Sequence, residues 1–326
     1  MILTKTPLRI SLFGGGTDFP DFYTKNGGGV LSFSIDRYVF VALSEKFDSG
    51  FRVSYSLNES VSEISEIKHP LVRNSLILTG VSNPLEITSI AEIPSRGSGL
   101  GSSSAFTVGL LKALYDYKKV SKSNEQLAED ACKVEIDLSG EPIGKQDQYG
   151  CALGGINYIT FNPDDSVVSE KITLDNNQEF IDHCLLFYTG VARSASALLH
   201  EQKRNTIENT SIINNLKTAY DHSIEGRYLL TQSNFAELGK LLNQTWQIKK
   251  TFNSKVSNDF IDDRYQAALN SGAWGGKLLG AGGGGFMLFI APKSSHVRII
   301  ESLRNWRHIP FSIDFIGSQS LQLGGN

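Results

Sequence analysis

Three glycines interleaved with serines, Gly97-Ser98-Gly99-Leu100-Gly101-Ser102-Ser103-Ser104, follow an apolar run at Leu85–Ile90 that reads as a strand. Beyond them Leu110, Leu111, Leu114 and Tyr115 fall on one helical face, which puts the loop between a strand and a helix. Glycine at these positions lets the backbone turn tightly with its N–H groups pointing inward. The opening turn of the helix adds unpaired N–H groups and the positive end of its dipole. Such a cradle suits a polyphosphate, and the serine hydroxyls reach phosphate oxygens or a magnesium ion. The spacing lacks the third glycine of a dinucleotide loop, and no Gly-Lys-Ser/Thr is present there. A flexible surface loop is the bland alternative, and the strand-loop-helix context argues against it.

Two acids come next. Glu135 is expected in the last turn of a second helix, where the dipole disfavours a carboxylate by about 0.3–1 kcal/mol. A nearby cation would explain it, which suggests a magnesium ligand. Asp147, in Gly144-Lys145-Gln146-Asp147-Gln148-Tyr149-Gly150, is a candidate base that contacts a substrate hydroxyl. Phosphoryl transfer asks mainly for a positioned nucleophile, a metal and positive charge on the transferring group. An isolated acid is more often a solvated surface residue, so residue chemistry alone leaves both readings open.

The elements that must position these groups are mixed. Leu8, Ile10 and Leu12 alternate at period two, as do Val39, Val41 and Leu43, and Phe51, Val53 and Tyr55, so the first ninety residues read as strands. The second helix opens at Ser123 with Gln126 as a capping box and runs through Leu127, Ala128, Ala131 and Val134 to about Leu138. Further strands are expected at Gly154–Phe161, Cys184–Tyr188, Phe286–Ile290 and near Phe311–Phe315. Residues 195–270 are largely helical in pattern, and another helix is expected around Ser295–Arg304. The class is α+β. A polar stretch at 162–180 divides the chain into expected domains of 1–170 and 171–326.

Composition narrows the partners. A chain of 326 residues with 40% hydrophobic and 20% charged residues is globular rather than disordered. Its net charge of -3 gives no electrostatic footprint for nucleic acid. No apolar run approaches the roughly 20 residues that span a bilayer, and Met1–Lys5 lacks the apolar core of a signal peptide. Cys132, Cys151 and Cys184 are too scattered for a disulfide framework or a zinc site. A soluble protein in a reduced, cytoplasmic setting is expected.

Three segments together resemble the signature motifs of the GHMP kinases, the family of galactokinase, homoserine kinase, mevalonate kinase and phosphomevalonate kinase. Thr6-Pro7-Leu8-Arg9-Ile10-Ser11-Leu12-Phe13-Gly14-Gly15-Gly16-Thr17-Asp18-Phe19 is similar to the first motif, Gly97–Ala105 to the second, and Gly276–Gly285 to the third. The resemblance implies a ribosomal-S5-like N-terminal domain and a ferredoxin-like C-terminal domain, with ATP along the second motif and the third closing over the site. Matched residue by residue, Asp147 takes the position of the catalytic aspartate and Glu135 that of the magnesium-binding glutamate. Ser103, or its neighbour Ser102, matches the magnesium-contacting serine. Arg9 falls where sugar kinases of the family carry an arginine beside the aspartate, and Asp18 matches an aspartate that binds sugar hydroxyls. Gly15, Gly16, Thr17, Gly282 and Gly283 complete the implied substrate-binding set. Without the family, Arg9 reads as a strand-edge surface residue and Asp18 as a turn residue.

One departure bears on the substrate. Galactokinase has Gly-Glu-His-Thr-Asp where this chain has Gly14-Gly15-Gly16-Thr17-Asp18, which removes two bulky polar side chains beside the sugar. The glycine form, with Gly144-Lys145-Gln146-Asp147-Gln148-Tyr149, resembles the branch that acts on heptose 7-phosphate, with fucokinase-type domains close by. That resemblance implies phosphorylation of an anomeric hydroxyl to give a 1,7-bisphosphate on the route to GDP-heptose. A free sugar as substrate, or a non-catalytic sensor, are the rival expectations. A substrate already carrying a phosphate needs basic partners at its far end. Arg193 is the first candidate, with Lys203, Arg204, Lys249 and Lys250 weaker ones, and Lys277 either holds a phosphate or supports its loop.

Overall fold

The computed structural model describes residues 1–94, 97–191 and 210–322. Eight strands make the first sheet: β1 (Ile2–Phe13), β2 (Gly28–Glu45), β3 (Phe51–Ser54), β4 (Asn58–Val61), β5 (Leu85–Ala91), β6 (Ile156–Phe161), β7 (Val167–Ile172) and β12 (Gln319–Gln322). Their main order is β12-β1-β2-β5-β3-β4, and the β6–β7 hairpin joins through β2. A second sheet, β11-β8-β10-β9, is built from β8 (Cys184–Tyr188), β9 (Gly275–Leu278), β10 (Phe286–Ile290) and β11 (Arg307–His308). The polar stretch at 162–180 therefore contains β7, which carries the first sheet to Ile172, and β12 returns the chain to that sheet.

Helices α1 (Pro20–Asn26), α2 (Pro70–Thr79), α3 (Ser102–Tyr117), α4 (Asn124–Cys132) and α5 (Gln146–Leu153) belong to the first half. The second half carries α6 (Asn177–Ile181), α7 (Thr210–Thr231), α8 (Phe235–Lys250), α9 (Asp259–Asn270) and α10 (His296–Ser302). None of the described helices is long and apolar enough to cross a membrane. The three cysteines are buried and unpaired.

Helix α3 is the centre of the first half. Ala105, Val108, Leu110, Leu111, Ala113 and Leu114 are fully buried, as expected for a helix enclosed on most sides. Its start is fixed by β1. Pairing of β1 with β12 stops at Lys5, and the flank left open beyond it takes the glycine loop, because the Arg9 N–H donates to the Leu100 carbonyl at 3.0 Å. The Leu100 side chain is fully buried and anchors that loop, a burial worth about 2–3 kcal/mol. On the other side, register shifts between β1 and β2 at Pro7/Leu8 and Ser11/Phe13 bracket Arg9. Bulges of this kind re-aim side chains beside a site.

Several expectations are corrected. The first ninety residues are not all strand: α2 starts on Pro70 at its first turn and ends on Gly80 in the left-handed region, a proline-first, glycine-last pair legible in sequence. No strand forms at Phe311–Phe315; only the Ile35–Ile313 bridge does. The chain turns away there because Asp314 Oδ1 accepts from the Ile316 and Gly317 N–H groups at 3.0 and 2.8 Å. The second helix runs on as expected to Leu138, but Lys133–Leu138 is a π-helical turn rather than α-helix.

Candidate active site

Helix α5, unforeseen in sequence, organises the site. Three consecutive side chains leave its first turn about 100° apart and reach three different partners. Gln146 donates from Nε2 to Asp18 Oδ1 at 2.9 Å and from its backbone N–H to Asp18 Oδ2 at 3.2 Å. Asp147 Oδ1 accepts from Arg9 Nε at 3.0 Å and Nη2 at 2.5 Å. Gln148 donates from Nε2 to Glu135 Oε2 at 2.5 Å. One helical turn thus ties together Arg9, Asp18, Glu135 and Asp147, four of the charged residues singled out in sequence.

Arg9 is buried, not a strand-edge surface residue, and its Nη1 donates to the Gly99 carbonyl at 2.8 Å. Burial is the largest single influence and works against its charge, but Asp147, with Cys151 and Asp18, together outweigh it and raise the guanidinium pKa. A permanent cation therefore bridges the glycine loop and Asp147. With 28% of its side chain exposed, Asp147 is the open end of this pair, and its Oδ2 has no partner among the described residues.

Glu135 is fully buried, against the commoner expectation of a solvated acid. Its Oε1 accepts from the Ser103 hydroxyl at 2.9 Å and its Oε2 from the Ser104 hydroxyl at 2.7 Å. The carboxylate thus faces the N-terminal turn of α3, a favourable dipole end, rather than the unfavourable end of its own helix. Burial nevertheless pushes its pKa up to about 7, opposed by the three hydrogen bonds and reinforced by Asp147. All three bonded partners are neutral, so the pocket lacks a counter-charge. One carboxylate and two hydroxyls at a phosphate-binding helix end are hard oxygen donors that fit magnesium shared with a polyphosphate. Among the described residues there is no cluster of three or more His, Cys, Asp or Glu that could hold a metal ion.

Asp18 is fully enclosed, and its Oδ1 also accepts from the Gly16 N–H at 3.0 Å. Gly144 makes the enclosure possible, since a Cβ there would lie 2.0 Å from Asp18 Oδ2. Burial, then the neighbouring Asp147, push the Asp18 pKa from 3.8 to about 6. The raised value means the fold favours the protonated form. Its contribution, about 3 kcal/mol, is present below pH 3.8 and is lost as pH rises through about 6. Denaturant titration of ligand-free protein should show stability falling across that window, with a flatter profile for Asp18→Asn. Parallel profiles would contradict the assignment, since Glu135 contributes equally to both.

The remaining sequence candidates divide. Gly99 and Gly280 touch backbone to backbone: a Cβ on Gly280 would lie 2.3 Å from the Gly99 Cα, so the third motif closes on the second. Gly97, Gly99 and Gly101 all have positive φ, and Ser102 opens α3. Gly15 and Gly16 line a cleft between the two halves, with Ser11, Phe19, Gln146, Ala219, Thr245, Lys249, Phe252, Val256, Lys277, Gly280 and Ala281. Thr17 is fully buried and its hydroxyl donates to the Gly14 carbonyl at 2.8 Å, which fixes the loop shape. Gly282 and Gly283 pack against Val256. Lys250 pairs with Asp262 at 3.3 Å, whereas Lys249 and Lys277 line the cleft. Arg193, Lys203 and Arg204 lie outside the described residues. Gln146, Gln148 and Ser11 were missed as functional; the first two flank Asp147, and an unrecognised helix hid their common turn.

The chain is similar to known proteins over most of its length. The family described as GHMP kinases N terminal domain matches residues 67–155, and GHMP kinases C terminal matches residues 227–307. The chain is 30% identical over 317 residues to a D-glycero-alpha-D-manno-heptose 7-phosphate kinase of Campylobacter jejuni, covering 93% of each protein. It is 25% identical to a galactokinase of Pyrococcus furiosus, over 93% of this chain and 92% of that one. A crystal structure of a D-glycero-D-manno-heptose 1-phosphate kinase from Bacteroides thetaiotaomicron superimposes with a TM-score of 0.83 at 22% identity, covering 100% of both chains.

Proposed function

Because this chain belongs to the GHMP kinase family and is a sugar kinase, we propose that it transfers the γ-phosphoryl group of ATP to the anomeric hydroxyl of D-glycero-D-manno-heptose 7-phosphate, giving the 1,7-bisphosphate. The observation that carries the mechanism is Asp147, with Oδ1 pinned by buried Arg9 and Oδ2 open. The substrate assignment draws on the likeness to the Campylobacter jejuni enzyme and on Gly15 and Gly16, whose lack of side chains widens the cleft for a seven-carbon sugar.

In this reading the anomeric hydroxyl donates a hydrogen bond to Asp147 Oδ2. Its oxygen forms the new bond to the γ-phosphorus as the bond to the β–γ bridging oxygen breaks, and the hydroxyl proton passes to Asp147 while ADP leaves. Arg9 orients Asp147 through its two hydrogen bonds to Oδ1 and adds positive charge beside the reacting group. Backbone N–H groups of residues 97–104 hold the polyphosphate, with the positive end of α3 behind them. Gln146, which lines the cleft and is held in place by the enclosed Asp18, orients the sugar, so Asp18 acts through Gln146 rather than by direct contact. Glu135 and Ser103 would hold magnesium, which would supply positive charge at the phosphate oxygens. Gly282 and Gly283, with the rest of the third motif, shield the site. Three unpaired, buried thiols accord with a reduced, cytoplasmic setting.

A free sugar is the second reading, favoured by the likeness to the galactokinase. ADP release from magnesium-ATP across heptose 7-phosphate, heptose, mannose, fucose and galactose separates the two. We expect kcat/KM to be highest for heptose 7-phosphate; turnover confined to a free sugar would discard the sugar-phosphate assignment.

A further inference from the structure

Resting on the sugar-phosphate reading above, we propose that Lys249 and Lys277, with the Ser11 hydroxyl, bind the phosphate the sugar already carries. Lys277 lies on β9 and is 4% exposed, and its Nζ donates to the Leu12 carbonyl at 2.9 Å. Lys249, half-buried in the last turn of α8, donates to the Leu278 carbonyl at 2.7 Å and to the Gly280 carbonyl. Both line the cleft, and among the described residues neither meets a carboxylate.

Two ammonium groups held near each other by neutral carbonyls are costly to bury, and the cost is hard to explain as scaffolding alone. Burial and the neighbouring positive Arg9 lower the Lys277 pKa to about 7, and burial, then Lys277 and Arg9, lower that of Lys249. Ser11 Oγ, in the wall of the same cleft, is buried without a hydrogen-bond partner among the described residues. A phosphate monoester dianion would favour the charged forms that burial and repulsion disfavour on the two lysines, with the Ser11 hydroxyl as a further hydrogen-bonding group.

The same chemistry would also fit the phosphoryl group in transfer. The lining favours the sugar's own phosphate, because the cleft is walled by Gly15, Gly16 and Gln146 and by none of residues 97–104. Arg193, the first candidate from sequence, lies outside the described residues.

The test compares kcat/KM for heptose 7-phosphate with that for unphosphorylated heptose in the parent, Lys249→Met and Lys277→Met proteins. We expect the parent to prefer the phosphorylated sugar and each variant to lose that preference by about 10–100-fold, the value of one charge-assisted contact. Should Lys277→Met fail to fold, Lys249→Met carries the test, since its residue is only half-buried. A parent preference that survives unchanged in folded variants overturns the inference and leaves the sugar-phosphate reading standing. Equal loss of kcat on both sugars assigns the lysines to the transferred group and also overturns it. No preference in the parent removes the reading itself, and the inference with it.

Discussion

Asp147→Asn is expected to lower kcat by about 10²–10⁴-fold, the range for loss of a general base, with ATP affinity nearly unchanged. An asparagine oxygen still accepts from Arg9 Nε and Nη2, as Asp147 Oδ1 does, so the substitution preserves the cradle around the buried guanidinium. It replaces the open Oδ2 with an amide that donates rather than accepts a proton. Steady-state kinetics together with nucleotide titration make the check. Near-normal turnover would remove Asp147 from the base role, and loss of nucleotide binding would make it a scaffold for the glycine loop.

Glu135→Gln separates activity from stability. It removes the carboxylate that Ser103, Ser104 and Gln148 enclose, and turnover at a fixed magnesium-ATP concentration should fall by about 10²–10³-fold. Stability of the ligand-free protein should move the other way. Because burial holds the Glu135 pKa up to about 7, the ionised group opposes folding above that pH, and a neutral isostere relieves it. At pH 8 the variant should therefore melt no lower than its parent, while its activity requires far more magnesium. An unchanged magnesium dependence would contradict the metal role.

Sequence pattern delivered the parts of this site and missed the way they meet. The strand-loop-helix around Gly97–Ser104 was legible because glycine spacing and the apolar face of α3 are local signals. Residue chemistry suggested Glu135, an acid at the wrong end of a helix, and Asp147 without separating them from solvated charges; motif resemblance assigned their roles and alone pointed to Arg9 and Asp18. What escaped is tertiary. Helix α5 is eight residues long, too short for periodicity to register, yet it sends Gln146, Asp147 and Gln148 to Asp18, Arg9 and Glu135. The burial of Lys249 and Lys277 depends on the cleft between the two halves, whose walls are hundreds of residues apart, as the Lys277–Leu12 bond illustrates. Likewise Asp314, which turns the chain where Phe311–Phe315 reads as a strand, acts through backbone groups that only the folded chain brings into reach.

The most direct measurement is the position of the new phosphate in the product formed from heptose 7-phosphate and magnesium-ATP. Phosphorus–proton correlation NMR reads it without reference to any variant. The account predicts two phosphate signals, the original at carbon 7 and a new one coupled to the anomeric proton. A new phosphate on any other carbon would contradict the placement of the anomeric hydroxyl at Asp147, and absence of a bisphosphate would contradict the proposed reaction.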